Sequence, residues 1–250
     1  MNPTYNKTVL EKLFDPKSIA VIGASRQEGK VGHSVLKNIV QYGYKGKIYP
    51  INPKAEEILG IRAYSTIFAV DGEIDLAVLT IPSQFVPPII KDCVERKVGS
   101  VIIISAGFKE SGKEGSRLEK NLVEIIKNSS MRVLGPNCLG VIDTATSLNA
   151  SFAAGMPSRG NIAFFSQSGA LCTAVLDWAL EEDVGFSKFI SLGNKADIDE
   201  VDLLLALGDD IETRVILGYL EGIGNGVRFM EVAREVSRRK PVIITKSGRT

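Results

Sequence analysis

Residues 18–40, SIAVIGASRQEGKVGHSVLKNIV, decide the fold of the N-terminal half. Their apolar, β-branched run stops at Gly23-Ala24-Ser25, a polar loop follows, and an apolar-periodic stretch begins at Val31. This order predicts a strand, a loop and a helix start, which together present backbone N–H groups to a phosphate. The glycines at 23, 29 and 32 lack the G-x-G-x-x-G spacing, so an ordinary turn between strand and helix is the alternative.

Size and composition are those of a globular protein with room for two domains. The 250 residues are 44% hydrophobic and 24% charged. No apolar run approaches the roughly 20 residues that span a bilayer, and no signal-peptide segment is visible. Cys93, Cys138 and Cys172 form no C-x-x-C pair, which argues against a disulfide framework and a zinc site. We expect a cytoplasmic protein without a membrane partner or a bound metal.

The net charge of +1 is unevenly distributed along the chain. Residues 1–145 carry 19 basic and 15 acidic side chains, a net charge of +4, whereas residues 146–250 carry 11 and 14, a net charge of −3. The basic half suits an anionic ligand, but +4 is too small a charge to indicate nucleic acid, and no nucleic-acid-binding motif is visible.

Strand and helix patterns alternate along both halves of the chain. In the first half, strands are predicted at residues 18–24, 47–51, 76–81, 100–105 and 132–134, with helices at 31–42, 84–97 and 113–128. In the second half, strands are predicted at 161–165, 186–192, 214–220 and 241–246, with helices at 170–182, 199–207 and 227–239. Near-continuous apolar strands indicate parallel sheets covered on both faces, and right-handed crossovers then give a Rossmann-like arrangement.

A stretch that reads as loop-rich, residues 140–160, separates the two halves. We therefore predict an α/β protein with one domain at residues 1–145 and a second at 146–250. The fourth strand of the second domain comes just before Thr250, so we expect that domain to be incomplete. Its unpaired sheet edge predicts pairing with a partner chain.

Ligands of open parallel sheets bind beyond the carboxyl ends of the strands. The candidate binding residues at the predicted strand ends are Gly23, Ala24, Ser25, Lys30, Gly32, Asn52, Pro53, Lys54, Pro82, Phe85, Ala106, Gly107 and Asn137. NAD-binding domains usually carry Asp or Glu at the second strand end, where this chain has Asn52 and Lys54. A cation there favours a phosphorylated ribose, as in NADP or coenzyme A, and a solvated surface lysine is the alternative.

The sharpest feature of the second half is FFSQSGAL, in which a strand ends at Ser166-Gln167-Ser168-Gly169 and a helix begins. Such a loop can hold a phosphate or an oxyanion, or it can be an ordinary capped helix start. Glu221 ends a later strand, where a carboxylate can orient a transferring group or simply occupy a turn. The only histidine, His33, follows the first loop, and no G-x-S-x-G elbow is present, so a serine-hydrolase triad is improbable.

Seven strings in matching order resemble the α subunit of ADP-forming acetyl-CoA synthetase, a member of the NDP-forming acyl-CoA synthetases related to succinyl-CoA synthetase. They are VIGASRQEGKVGHSVLKNI, KIYPINPKAEEILG, SAGFKESG, GPNCLGVI, FFSQSGAL, SLGNKADIDEVDLL and GYLEGI. The resemblance implies a CoA-binding Rossmann domain and then a flavodoxin-like domain. It also implies conversion of acyl-CoA, ADP and phosphate into acid, ATP and CoA through an acyl phosphate and a phosphohistidine, with ADP bound as the magnesium complex by an ATP-grasp domain or β subunit.

Carried over by position, the resemblance implies CoA contacts at the strand-end residues and at Val31. It implies a phosphate site at Ser166 to Gly169, with Glu221 holding the phosphohistidine loop. The family places its phosphorylated histidine shortly after a strand like VIITKSGRT, and this chain has no counterpart of that histidine. We expect a fragment of a longer, oligomeric enzyme that binds CoA without running the complete reaction.

Two other functions stay open on the sequence alone. A regulatory module that senses CoA or acyl-CoA without turnover would account for the missing histidine. An NADP-dependent oxidoreductase would account for the Rossmann-like start and Lys54, although no hydride-transfer arrangement is evident. The acyl group is not readable from the sequence.

Overall fold

The computed structural model describes residues 7–248, with side chains from Leu10 onward. The helices are α1 (Lys7–Phe14), α2 (Val31–Gln41), α3 (Val86–Glu95), α4 (Lys113–Ile126), α5 (Gly169–Glu181), α6 (Glu200–Asp209) and α7 (Gly226–Ser237). The strands are β1 (Ser18–Ile22), β2 (Lys47–Ile51), β3 (Glu57–Ile58), β4 (Ile61–Arg62), β5 (Leu76–Leu79), β6 (Ser100–Ile103), β7 (Arg132–Leu134), β8 (Gly140–Asp143), β9 (Leu148–Ser151), β10 (Arg159–Ser166), β11 (Phe186–Ser191), β12 (Val215–Leu220) and β13 (Val242–Lys246).

The first sheet is fully parallel, in the order β2-β1-β5-β6-β7. Its second strand, β1, is buried along its whole length, so alternate side chains enter two different cores. Ile19 and Val21 pack in the cluster that contains α1 and α2, whereas Ala20 and Ile22 pack in the cluster that contains α3 and α4. Helices on both faces explain why the strands read as continuous apolar runs.

The second sheet has six strands in the order β13-β12-β10-β11-β8-β9. The strands β10 to β13 are parallel to one another, and β8 is antiparallel to β11 and to β9. The reading of residues 140–160 as loop-rich was therefore wrong, because a hairpin of β8 and β9 lies within it. Its strands are four residues each and rich in small or polar side chains, so they lack the apolar signature that marks the other strands.

The hairpin joins the two halves of the molecule. The Asn38 side chain, on α2, donates hydrogen bonds of 2.9 Å to the carbonyl oxygens of Ser151 and Ala153. One buried cluster runs from Val35 and Leu36 of α2 to Val141 and Ala150 of the hairpin. The helix that begins at the first polar loop is therefore packed between the two sheets.

Two further elements were not predicted, namely α1 and the two-residue pair β3 and β4. The remaining predicted strands and helices are present, with ends shifted by a few residues at most. The order of elements confirms the predicted class, a Rossmann-like α/β unit followed by a flavodoxin-like one. Over residues 7–248, no helix has the length and apolar character that crossing a membrane requires.

Candidate functional site

The loop after β1 is shaped by two glycines that pack against each other. Gly23 has a φ of +91°, which L side chains rarely adopt. A Cβ on Gly32, at the start of α2, would lie 2.0 Å from the Gly23 carbonyl oxygen. The helix start and the loop therefore approach as closely as backbone atoms allow, and both positions are restricted to glycine.

Asn52 fastens the end of β2 to this loop. Its side chain donates 2.7 Å to the Ala24 carbonyl oxygen and accepts 2.8 Å from the backbone N–H of Lys54. The Arg26 guanidinium donates 3.3 Å to the Lys54 carbonyl oxygen, so it lies beside the same turn. Arg26 was not singled out from the sequence, because its proximity to Lys54 depends on how the two strand ends meet.

A cleft of about 620 Å³, which we call the edge cleft, opens between the ends of β1, β2 and β5. It is lined by Ile22, Gly23, Ile51, Asn52, Pro53, Lys54, Ser65, Thr66, Ile67, Ile81, Pro82, Phe85, Ile89 and Asp92. Its walls are mainly apolar, and the Phe85 ring is 52% exposed. Among the described residues, Arg26, Lys30 and Lys54 take part in no ion pair, so these exposed cations are available to an anion.

A second cavity, of about 350 Å³, lies between the two sheets, and we call it the inter-sheet cavity. It is lined by Val31, Thr80, Ile81, Ile104, Ser105, Ala106, Asn137, Cys138, Leu139, Phe152, Gly169 and Thr173. Ile81 lines both the edge cleft and the inter-sheet cavity, so the two spaces adjoin at this side chain. Lys54 lines the first of these neighbouring spaces, and Gly169, the first residue of α5, lines the second.

The predicted phosphate loop closes the far end of the inter-sheet cavity. Ser168 is the N-cap of α5, and its hydroxyl accepts 3.3 Å from the backbone N–H of Leu171. Ser166 is fully buried, and its hydroxyl accepts 3.0 Å from the backbone N–H of Ser168. A Cβ on Gly169 would meet no atom within 4 Å, so the space at this helix N-terminus is open. A capped helix start and an anion site are therefore compatible here.

Gln167 connects this loop to Glu221. The Gln167 side-chain oxygen accepts 3.0 Å and 3.1 Å from the backbone N–H groups of Glu221 and Gly222. Gln167 therefore positions the loop after β12, and the Glu221 carboxylate is exposed beside it.

A buried ion pair lies beneath the loop after β12. The Lys195 ammonium lies 2.7 Å from the Glu200 carboxylate and donates 2.6 Å to the Gly222 carbonyl oxygen. The other Glu200 oxygen accepts 3.0 Å from the backbone N–H of Gly224. Because Glu200 is fully buried, this pair fixes the loop rather than facing a ligand.

His33 is also occupied within the protein. Its Nδ1 lies 3.0 Å from the Ser25 carbonyl oxygen, and the residue is buried. It therefore supports the first loop.

The cysteines are buried thiols without a metal. Desolvation raises the pKa of Cys93, Cys138 and Cys172 to about 12, so their thiolates do not form near neutral pH. Within residues 7–248, no group of three His, Cys, Asp or Glu side chains could hold a metal ion.

A polar cluster joins the first sheet's loops to the second sheet. The Asn194 side chain, beyond β11, donates 2.6 Å to Glu110 and 2.7 Å to Glu119, and the Asn194 backbone carbonyl oxygen accepts from the Lys109 ammonium. The other oxygen of Glu110 accepts 2.6 Å from the backbone N–H of Gly107. The cluster has no signal in the sequence, because Asn194 lies more than 70 residues from Glu110 and Glu119 and meets them only when the two halves pack.

The structure places the predicted site residues in three groups. The edge cleft is lined by Gly23, Asn52, Pro53, Lys54, Pro82 and Phe85, and the inter-sheet cavity by Val31, Ala106, Asn137 and Gly169. The others, Ala24, Ser25, Lys30, Gly32, Gly107, Ser166, Gln167, Ser168 and Glu221, shape or adjoin the loops without lining either space. Their roles toward a ligand stay predictions.

Comparisons with known proteins point in one direction. A family model described as "CoA binding domain" matches residues 17–144, and one described as "Succinyl-CoA ligase like flavodoxin domain" matches residues 159–250. The chain is 48% identical over 245 residues to the α subunit of acetate–CoA ligase [ADP-forming] I from Pyrococcus furiosus, covering 96% of this chain and 53% of that protein. It is 47% identical over 241 residues to acetate–CoA ligase [ADP-forming] I from Archaeoglobus fulgidus, covering 96% and 35%.

A solved structure agrees with these matches. It is a dinucleotide-forming acetyl-coenzyme A synthetase 1 from Candidatus Korarchaeum cryptofilum, in complex with phosphate and ADP. It superposes with a TM-score of 0.93 at 45% identity, over 96% of this chain and 52% of that one. The chain thus spans between about a third and a half of the length of these relatives.

Proposed function

We propose that this chain, which belongs to the family of ADP-forming acyl-CoA ligases, binds coenzyme A across the carboxyl edge of its first sheet and brings the thioester to a phosphate at α5. The observation that carries the proposal is that the edge cleft and the inter-sheet cavity share Ile81 in their linings, and that the inter-sheet cavity is lined by Gly169 at the open N-terminus of α5. A CoA molecule has a charged nucleotide end and a narrow uncharged arm, and these match the two spaces in that order.

The nucleotide end belongs in the edge cleft. Apolar walls there, including Phe85 and Ile89, suit the faces of an adenine ring. Lys54, with Arg26 and Lys30 nearby, would neutralise the ribose phosphate and the diphosphate. The N-terminus of α2 adds backbone N–H groups on the same side.

The thiol end belongs in the inter-sheet cavity. Val31 lines this cavity at the start of α2, and Gly169 lines it at the start of α5. A thioester carbonyl between these two helix starts would lie beside the anion site of the second. The first reaction step is then attack of a phosphate oxygen on the thioester carbon, which forms a C–O bond, breaks the C–S bond and releases CoA as thiolate.

The later steps need groups that we assign outside this fold. Transfer of the phosphoryl group from acyl phosphate to ADP requires a histidine, and His33 is buried at the first loop with its Nδ1 against the Ser25 carbonyl oxygen. By the family resemblance, we assign the phosphohistidine to a segment that follows a strand like VIITKSGRT, and the magnesium-dependent binding of ADP to an ATP-grasp domain or β subunit. Glu221, exposed next to the Ser166–Gly169 loop, would position that histidine.

Calorimetric titration of the protein with CoA, dephospho-CoA and NADP tests the proposal. We expect CoA to bind tightest, dephospho-CoA more weakly because it lacks the 3′-phosphate, and NADP without measurable heat. Binding of NADP in the absence of CoA binding would overturn the proposal in favour of an oxidoreductase.

A further inference from the structure

The lining of the inter-sheet cavity includes a phenylalanine whose side chain is partly exposed. Phe152 lines the cavity, and its side chain is 39% exposed although it follows a fully buried strand. The ring is therefore partly packed and partly available to whatever occupies the cavity.

The backbone that carries Phe152 is fixed on both sides. Asn38, only 7% exposed, donates to the carbonyl oxygens of the residues directly before and after it, Ser151 and Ala153. The Ala153 backbone N–H in turn donates 3.2 Å to the Ser151 hydroxyl. Both N–H donors of the buried Asn38 amide are thus used on the segment from Ser151 to Ala153. These hydrogen bonds hold the Phe152 ring in a defined place at the cavity.

The remaining lining of the cavity contains four polar side chains, that of Asn137 and three hydroxyls. The hydroxyls of Thr80, Ser105 and Thr173 all donate to backbone carbonyl oxygens, namely those of Ile22, Ile81 and Gly169. None of the lining residues is charged. At about 350 Å³ the cavity is at the small end of ligand pockets, and part of it must hold the thiol arm of CoA.

We propose that Phe152 and Thr173 set the size of the acyl group and that the cavity accepts a short, uncharged acyl chain. The inference rests on the proposed binding of CoA. A thioester carbon next to Gly169 directs its substituent along the first turn of α5, toward Thr173, and Phe152 faces the same space. A longer chain meets the phenyl ring, and a carboxylate-bearing chain meets no cation.

The experiment measures the dissociation constants of CoA, acetyl-CoA, butyryl-CoA, hexanoyl-CoA and succinyl-CoA for four variants and the unaltered protein. The readout is the ratio of each acyl-CoA constant to that of CoA, which removes any common effect on folding or on nucleotide binding. Phe152→Ala is expected to lower the hexanoyl-CoA ratio about tenfold, and Thr173→Leu to raise it about tenfold. Asn38→Ala is expected to lower the same ratio, because the ring is then less firmly placed.

Trp178→Ala is the matched control. This aromatic side chain lies on α5, the helix that carries Thr173, is 54% exposed and does not line the cavity. It should leave every ratio unchanged. Equal ratios in all variants, or tight succinyl-CoA binding by the unaltered protein, would overturn the assignment while leaving CoA binding intact. Failure of CoA itself to bind would instead refute the proposed function and the inference with it. If Phe152→Ala does not fold, the exposed Thr173→Leu substitution decides the question.

Discussion

Two glycines of the site, Gly32 and Gly169, differ in the space available for a side chain. A Cβ on Gly32 would lie 2.0 Å from the Gly23 carbonyl oxygen, whereas one on Gly169 would meet nothing within 4 Å. Gly32→Ala must therefore push α2 off the first loop and should lower the free energy of unfolding by about 1–3 kcal/mol, as overpacking does. Gly169→Ala should keep or slightly raise stability, because alanine favours helix.

Chemical denaturation of both variants, followed by titration with CoA and with phosphate, checks this pair. Gly32→Ala should also weaken CoA binding, since the loop moves. Gly169→Ala should weaken only phosphate binding, because a methyl group then occupies the open space at the N-terminus of α5. Equal stability of the two variants would contradict the close approach of loop and helix.

Lys54 is the residue that we expect to distinguish CoA from dephospho-CoA. It lines the edge cleft and makes no ion pair among the described residues. Lys54→Met should weaken CoA binding about fivefold, which corresponds to the roughly 1 kcal/mol of a solvent-exposed charge contact. Binding of dephospho-CoA should hardly change, and the difference should shrink at high salt. Lys120→Met, which removes an exposed lysine on α4, is the control and should alter neither constant.

At the scale of single residues, the sequence identified residues that line the edge cleft better than it identified what their side chains do. Asn52 and Lys54 were both read as strand-end contacts, and the structure shows that Asn52 uses its side chain to tie Ala24 to Lys54. Arg26 was overlooked, because a cation in a polar loop carries no signal until the second strand end is placed beside it.

The helix α1, which has no clear sequence signal, is held on the first sheet by an ion pair. It was not predicted, yet Lys12 of α1 lies 2.8 Å from Asp75, which directly precedes β5. The same carboxylate accepts 2.8 Å from the backbone N–H of Lys17. Burial alone would raise the pKa of Asp75, but these hydrogen bonds outweigh it and hold the pKa below its ordinary value of 3.8.

Because the pKa is lowered in the folded state, the stabilisation is complete above about pH 3.8 and is lost as the pH falls through the folded-state pKa. Asp75→Asn should therefore cost about 1–2 kcal/mol at pH 7, the lower part of the range for hydrogen bonds to a charged group, since Lys12 is partly exposed. The difference from the unaltered protein should narrow below pH 3.8. Urea unfolding of both proteins at several pH values measures this difference in the free energy of unfolding. A difference that does not change with pH would contradict the ionic role of Asp75.

The elements that the sequence predicted share a physical basis. Strands such as β1 and β6 are short, apolar and buried on both faces, so their composition alone marks them. The hairpin of β8 and β9 contains Gly140, Asp143, Asn149 and Ser151, and its pairing is decided by β11 beside it. Its strand character therefore comes from tertiary contacts that no local pattern records.

At the scale of the whole molecule, two α/β units in order were predictable, whereas their packing was not. The inter-sheet cavity exists only because α2 packs on the hairpin and because the loops after β6 and β11 meet. The candidate site was therefore foreseen as two separate loops, near Gly23 and near Ser168. That the helices after these loops line one cavity, through Val31 and Gly169, became visible only in three dimensions.

A substitution of Asn194 tests the packing of the two sheets against each other, because this residue links the loop after β11 to Glu110 and Glu119. It is buried and donates to Glu110 and Glu119, so Asn194→Asp removes two hydrogen bonds and sets three carboxylates together. Burial alone would raise the pKa of Glu110, but hydrogen bonds from Asn194 and from two backbone N–H groups lower it. We expect Asn194→Asp to cost about 2–4 kcal/mol at pH 7, because buried hydrogen bonds to charged groups are lost.

The pH dependence of this cost follows from the charges. In the unaltered protein the contribution of Glu110 is present above its ordinary pKa of 4.5 and is lost as the pH falls. In the variant, protonation of the three carboxyl groups relieves their repulsion, so the loss of stability should be largest near neutral pH and smaller below about pH 4. CoA affinity should fall as well, since Glu110 also binds the Gly107 backbone N–H beside the inter-sheet cavity. Asn128→Asp, on the exposed surface, is the control for charge alone, and an equal effect of both substitutions would show that the Asn194 cluster does not hold the two sheets together.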